Sequence, residues 1–183
     1  MIKEYDKGTL VILNHQNVKI DLHMEPYADE FELLGKSFNS ITFSKIDHNY
    51  LDHLDDLSDL SITFWPNSIQ LWGLPYIGYS IEMNKLDMAG SHIGKPKTSK
   101  AINGKHTFSI GNRSSNDVVV SDIEQERVLY NVEKNEEITF TADVCPFGNN
   151  TIIECTASNQ FKFLCSYKTD FVLRREPLDL HIT

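Results

Sequence analysis

Val18-Lys19-Ile20-Asp21-Leu22-His23-Met24 alternates apolar and polar side chains at every step, the period of a strand with one face in a core and the other in water. Just upstream, Leu10-Val11-Ile12-Leu13 is a short continuous apolar run, and Asn14-His15-Gln16-Asn17 supplies turn residues between the two. The pair predicts a hairpin. Working outward, Ser40-Ile41-Thr42-Phe43-Ser44 and Ser61-Ile62-Thr63-Phe64-Trp65 are near copies, each rich in β-branched and aromatic side chains that fit a pleated surface. Further strand-like runs fall at 69–72, 76–83, 107–110, 118–120, 127–132, 137–142, 151–156, 161–167 and 178–182. Short strands at this density, broken by Gly, Asn, Ser and Pro, predict an all-β protein, an antiparallel β-sandwich over residues 1–183 as a single domain. The Ser-Ile-Thr-Phe echo is one pair of strands, and no long internal repeat is legible.

One interval breaks the pattern. Leu51, Leu54, Leu57 and Leu60 recur at every third residue, among five aspartates and two histidines, which predicts a short amphipathic helix near residues 47–60. From 89 to 105 the chain is rich in Gly, Lys, Ser and Pro and reads as a surface loop.

The chain has 183 residues, enough to bury roughly 70% of its unfolded surface without a covalent staple. Its formal charge of −9 repels nucleic-acid phosphates and anionic membranes, leaving basic proteins and neutral or zwitterionic lipid surfaces as compatible partners. Met1-Ile2-Lys3-Glu4-Tyr5-Asp6-Lys7 leads into no signal-like apolar core, and no run of about 18 apolar residues occurs. The expected location is the cytoplasm, or outside the cell by a route without a signal peptide. Cysteines 145, 155 and 165 are odd in number. If 151–156 and 160–167 form a hairpin turning at Ser158-Asn159, Cys155 faces residue 162. Cys165 is then three residues out of register, roughly 10 Å at about 3.3 Å per residue, beyond disulfide reach. All three are expected to be reduced.

Signals of chemistry are sparse. No Gly-x-Ser-x-Gly elbow, phosphate loop or dinucleotide fingerprint occurs, so no catalytic residue, enzyme activity or cofactor is expected. His48 and His53 lie five apart among Asp47, Asp52, Asp55, Asp56 and Asp59, whereas helical zinc pairs sit four apart, and no glycine marks a calcium loop. A solvated acidic helix face is the plainer reading. The stretch Cys145-Pro146-Phe147-Gly148-Asn149-Asn150-Thr151 differs in kind: Pro146 fixes φ near about −65° and Gly148 permits a tight turn, so Phe147 can be held outward as an apolar plug. Trp65, Trp72 and Tyr76 flank the Pro66 and Pro75 turns and carry the polar handle favoured at membrane and protein interfaces. Pro146, Phe147, Gly148, Trp65, Trp72 and Tyr76 are therefore the candidate lipid- or partner-binding residues.

Gly111-Asn112-Arg113-Ser114, then Asp143-Val144-Cys145-Pro146-Phe147-Gly148-Asn149-Asn150-Thr151, Ser158-Asn159 and the closing Pro177-Leu178-Asp179-Leu180-His181-Ile182-Thr183 together resemble the aegerolysin family over about residues 76–183. Residues 1–60 have no clear counterpart in it. Gly111 and Asn112 stand where the family has Cys and Gly, Val144 is an extra residue, and Phe147 replaces the motif's tryptophan. The resemblance implies a small acidic β-sandwich that recognises a neutral or sphingolipid-type membrane lipid, with a second, pore-forming protein as partner in a toxin or haemolytic system. The alternative is an acidic cytoplasmic inhibitor or immunity protein, whose face at 47–59 docks on a basic toxin.

Overall fold

The computed structural model of the chain describes residues 8–25, 28–46, 60–72, 76–85, 106–122, 126–142, 151–165 and 172–177. Its strands, in chain order, are β1 (Gly8–Asn14), β2 (Ile20–Met24), β3 (Asp29–Leu33), β4 (Ser37–Ile46), β5 (Leu60–Trp65), β6 (Ser68–Trp72), β7 (Tyr76–Lys85), β8 (His106–Asn112), β9 (Val118–Asp122), β10 (Arg127–Val132), β11 (Glu136–Ala142), β12 (Thr151–Cys155), β13 (Phe161–Cys165) and β14 (Val172–Pro177). They build two seven-stranded sheets: sheet A, ordered β10-β9-β13-β12-β1-β4-β7, and sheet B, ordered β14-β11-β8-β5-β6-β2-β3.

The period-2 pattern read from the sequence sets the layers. β2 turns Ile20, Leu22 and Met24 inward, all buried, and leaves Asp21 and His23 half-exposed. β9 does the same with Val118 and Val120. Facing rows from the two sheets meet in one core, where the rings of Phe64 on β5 and Phe161 on β13 lie 4.8 Å apart, tilted by 34°. Each fully buried ring of this kind stabilises the fold by about 1.5–3 kcal/mol through removal from water.

The all-β class and two-layer architecture match the expectation; the pairing does not. β1 and β2 form no hairpin, because the chain crosses from sheet A to sheet B between Asn14 and Ile20. Nor are the sheets purely antiparallel: β1–β12, β5–β8, β2–β6 and β9–β13 pair in parallel. Cys155 faces Phe161 rather than residue 162. It is a free, buried thiol, as expected. The interval 47–59 and the run 178–182 lie outside the described residues, while Leu60 opens β5 as a strand residue. No helix among the described residues is long and apolar enough to cross a membrane.

A repeat invisible in the sequence organises the whole. A shift of 98 residues carries Gly8–Asn14 onto His106–Asn112 and Ile20–Met24 onto Val118–Asp122. Replacing each strand of sheet A by its counterpart seven places along the chain gives β3-β2-β6-β5-β8-β11-β14, which is sheet B read backwards. Each half thus contributes one contiguous block of strands to each sheet, and the blocks join through the parallel pairs β1–β12 and β5–β8. Backbone details repeat too. Residues with left-handed φ, rare outside glycine, recur at matching turns: Ala28 (54°) with Glu126 (49°), and Lys36 (53°) with Asn135 (64°).

Candidate functional site

Strands alternate in direction within β1–β7 and again within β8–β14, so every connection except the one from β7 to β8 joins strand ends at one of two poles. One pole gathers the turns 15–19, 34–36, 66–67, 113–117, 133–135 and 156–160; the opposite pole gathers 25–28, 47–59, 73–75, 123–126, 143–150 and 166–171.

The first pole is tied together by buried amides. Asn14 Nδ2 donates to the carbonyls of Val18 (2.8 Å) and Leu34 (3.0 Å), while its Oδ1 accepts from the Gln16 backbone N–H (3.0 Å). Asn112 repeats the device in the second half, donating to Asn116 (2.9 Å) and Val132 (2.8 Å) and accepting from the Ser114 N–H (2.9 Å). Each amide satisfies carbonyls that the crossover between sheets leaves without a ladder partner. The 156–160 turn then joins the halves: Gln16 Nε2 donates to Asn159 Oδ1 (2.6 Å), and Asn116 Nδ2 donates to the Asn159 carbonyl (2.9 Å). Gly35 belongs to this packing, since a Cβ there would sit 2.6 Å from the Asn17 carbonyl carbon and oxygen.

In sequence, the six connections that leave strand ends at the second pole hold ten carboxylates, Asp47, Asp52, Asp55, Asp56 and Asp59 in one interval and Glu25, Glu124, Glu126, Asp143 and Asp170 in others, and one lysine, Lys168. Of these, Glu25 and Glu126 lie among the described residues. The first pole has Lys19, Lys36, Arg113 and Lys134 against Asp117 and Glu133. The two intervals singled out in the sequence are counterparts of each other: 47–59 joins β4 to β5, and 143–150 joins β11 to β12, each passing from one sheet to the other.

Among the candidate residues, Pro146, Phe147 and Gly148 lie outside the described residues, and the motif's Thr151 opens β12 as a buried residue. Trp72 closes β6 and Tyr76 opens β7 at the second pole, in different sheets. Trp65 sits at the other pole, so the candidates do not form one cluster. Both tryptophans are exposed on the outer face of sheet B, Trp65 at 37% and Trp72 at 46%. The Arg113 guanidinium lies 5.1 Å over the Trp65 ring, a cation–π contact.

No family model, curated protein or solved structure matches the chain.

The chemistry the described side chains can perform is correspondingly plain. Burial pushes the Cys155 thiol up to about 12, against a smaller opposing effect of the Gln16 amide 3.0 Å from its sulfur. It stays protonated and is a poor nucleophile. His15 pairs with Glu154 (3.2 Å) and His23 with Glu30 (3.4 Å), on opposite sheets. Among the described residues no group of three or more His, Cys, Asp or Glu side chains comes together as a metal centre would require. What remains is a pair of unlike sheet faces turned away from the central core. The outer face of sheet A is apolar, with Val11, Leu13 and Ile152 buried against Phe38 and Leu164. That of sheet B is hydroxyl-rich, with Ser109 and Thr139 hydrogen-bonded at 3.1 Å.

Proposed function

We propose that the protein is a non-enzymatic binding protein that docks its acidic pole on the basic surface of a protein partner, the relation of an inhibitor or immunity protein to a toxin. One observation supports this reading above the rest: the β4–β5 and β11–β12 connections, whose sequences carry the five aspartates and Phe147, are counterparts in the repeat, and the six connections of this set hold ten carboxylates and one lysine in sequence. A concentrated field of one sign accelerates encounter with a partner of the other. An aromatic anchor supplies the desolvated centre that carries most of the energy in many protein interfaces, and Phe147 is the candidate for that part. The test is association with the product of the gene directly upstream, measured at low and high salt. Replacing Asp47, Asp52, Asp55, Asp56 and Asp59 by Asn is expected to weaken it at least about tenfold, an effect that shrinks at high salt. An unchanged affinity overturns the reading.

A second reading is binding to a neutral or sphingolipid-type membrane surface in the manner of the aegerolysins. It draws on the exposed ring of Trp72, on Tyr76 opening β7 at the same pole, and on the Pro146-Phe147-Gly148 sequence of the β11–β12 connection. Co-sedimentation with neutral, sphingolipid and anionic vesicles separates the two. Binding to one neutral or sphingolipid mixture, lost in Phe147→Ala, favours the lipid; binding to none favours the protein partner.

A further inference from the structure

The repeat provides an internal control for the outer faces of the two sheets. On sheet A, positions 11, 13, 152 and 164 are Val, Leu, Ile and Leu. Their counterparts on sheet B are Ser109, Gly111, Ser61 and Trp72. A shared fold does not require this difference, because both faces stand on equivalent strands. Sheet B has exchanged aliphatic side chains for hydroxyls, a glycine and an exposed indole.

The arrangement on sheet B is specific. On the β5–β6 hairpin, Trp65 pairs with Ser68 and Trp72 with Ser61, so the two rings lie four residues apart, roughly 13 Å at about 3.3 Å per residue. Phe64 and Leu71 beside them point into the core, which directs both indoles outward. Thr63 faces Gln70 between the rings, both half-exposed, and Gly111 lies next to Thr63 as a buried position. Arg113 stacks on Trp65 and fixes one platform. Between the rings Ser61, Thr63, Ser68 and Gln70 are all neutral, while Arg113 lies over Trp65, and Asp21 stands beside Ser68, His23 beside Gln70 and Glu137 beside Gly111 at the margins.

We propose that this face is a binding site for a neutral oligosaccharide chain that spans Trp65 and Trp72. A sugar ring offers one face of C–H groups, which sits on the electron-rich face of an indole, and a rim of hydroxyls that both donate and accept. Thr63, Ser61, Ser68 and Gln70 match that rim, and the marginal carboxylates accept from hydroxyls. An apolar occupant would leave these groups unpaired, at a cost for each. A polyanion would meet Asp21, Glu137 and the overall charge of −9. Neutral side chains between the rings fit a neutral chain.

Trp65 and Trp72 are the protein's only tryptophans, so the intrinsic fluorescence of the full-length chain reports on this face alone. Titration with cellohexaose, xylohexaose, mannohexaose and maltohexaose is expected to give a saturable change with at least one of them, and none with a heparin hexasaccharide. Trp72→Ala should weaken binding about tenfold, and Gln70→Ala should weaken it less, both followed by calorimetry with thermal melts unchanged. No saturable change with any neutral hexasaccharide overturns the proposal, as does calorimetric binding that survives Trp65→Ala/Trp72→Ala. The aspartate variants at the acidic pole should bind the sugar normally, which separates this site from the protein-docking one.

Discussion

Asn14 and Asn112 hold the same post in the two halves of the chain: each closes the first strand of its half and donates Nδ2 to the carbonyl four residues on, at 2.8 and 2.9 Å. Each side chain is fully buried. Removing one leaves at least two carbonyls unpaired, so Asn14→Ala and Asn112→Ala are each expected to cost about 2–4 kcal/mol. Asp at either position should cost at least as much, because a carboxylate cannot donate to those carbonyls. Urea denaturation midpoints check both, and a large loss at only one position would contradict the equivalence.

The Phe64–Phe161 contact bridges the sheets at the centre of the core. Phe161→Ala should destabilise by about 3–5 kcal/mol. A double-mutant cycle with Phe64→Leu should return about 0.5–1.5 kcal/mol of coupling beyond area loss.

Cys155 titrates far above the ordinary thiol value of 9.0, at about 12, because burial disfavours its thiolate. The folded chain therefore keeps a proton that the unfolded chain releases. Its stabilising effect is full below pH 9 and is lost as pH rises towards 12, by up to about 1.4 kcal/mol per pH unit. The stability advantage of the wild type over Cys155→Ala should shrink across that window in chemical denaturation. At neutral pH, Cys155 should resist iodoacetamide until the protein unfolds, as peptide mapping would show.

The two halves share one core, in which Phe64 of the first packs on Phe161 of the second, so neither half can complete its core alone. Calorimetry should show one transition with equal calorimetric and van't Hoff enthalpies. Residues 1–97 expressed by themselves should lack the dispersed amide spectrum of a folded protein; a folded half would refute the dependence on a shared core.

The strands were largely legible in the sequence, since a buried face imposes period 2: Ile20, Leu22 and Met24 could be assigned to the core before any coordinates. Their partners were not. β1 lies between β4 and β12, and the register Leu10 to Thr151 spans most of the chain, a distance at which local pattern carries no information. The repeat was hidden because its conserved content is physical. Ile20 answers to Val118 and Leu33 to Val132, apolar volumes without shared identity, whereas the functional constraint on Asn14 and Asn112 is a hydrogen-bond geometry that one amide residue in a polar loop does not advertise. At the candidate site, the tryptophans were recognised but their separation was not, because which ends of β5 and β6 share a pole depends on the fold. The Phe147 segment lies outside the described residues.

The parallel seam between β1 and β12 sets an order of events during synthesis. β1 is among the first strands to leave the ribosome, yet the neighbour on one of its sides is not translated until most of the chain has emerged. Until then its open edge is available to any passing strand. Folding that waits on such a remote contact is slow, so refolding yield should fall steeply with protein concentration, and holding chaperones should help the nascent chain more than the finished one.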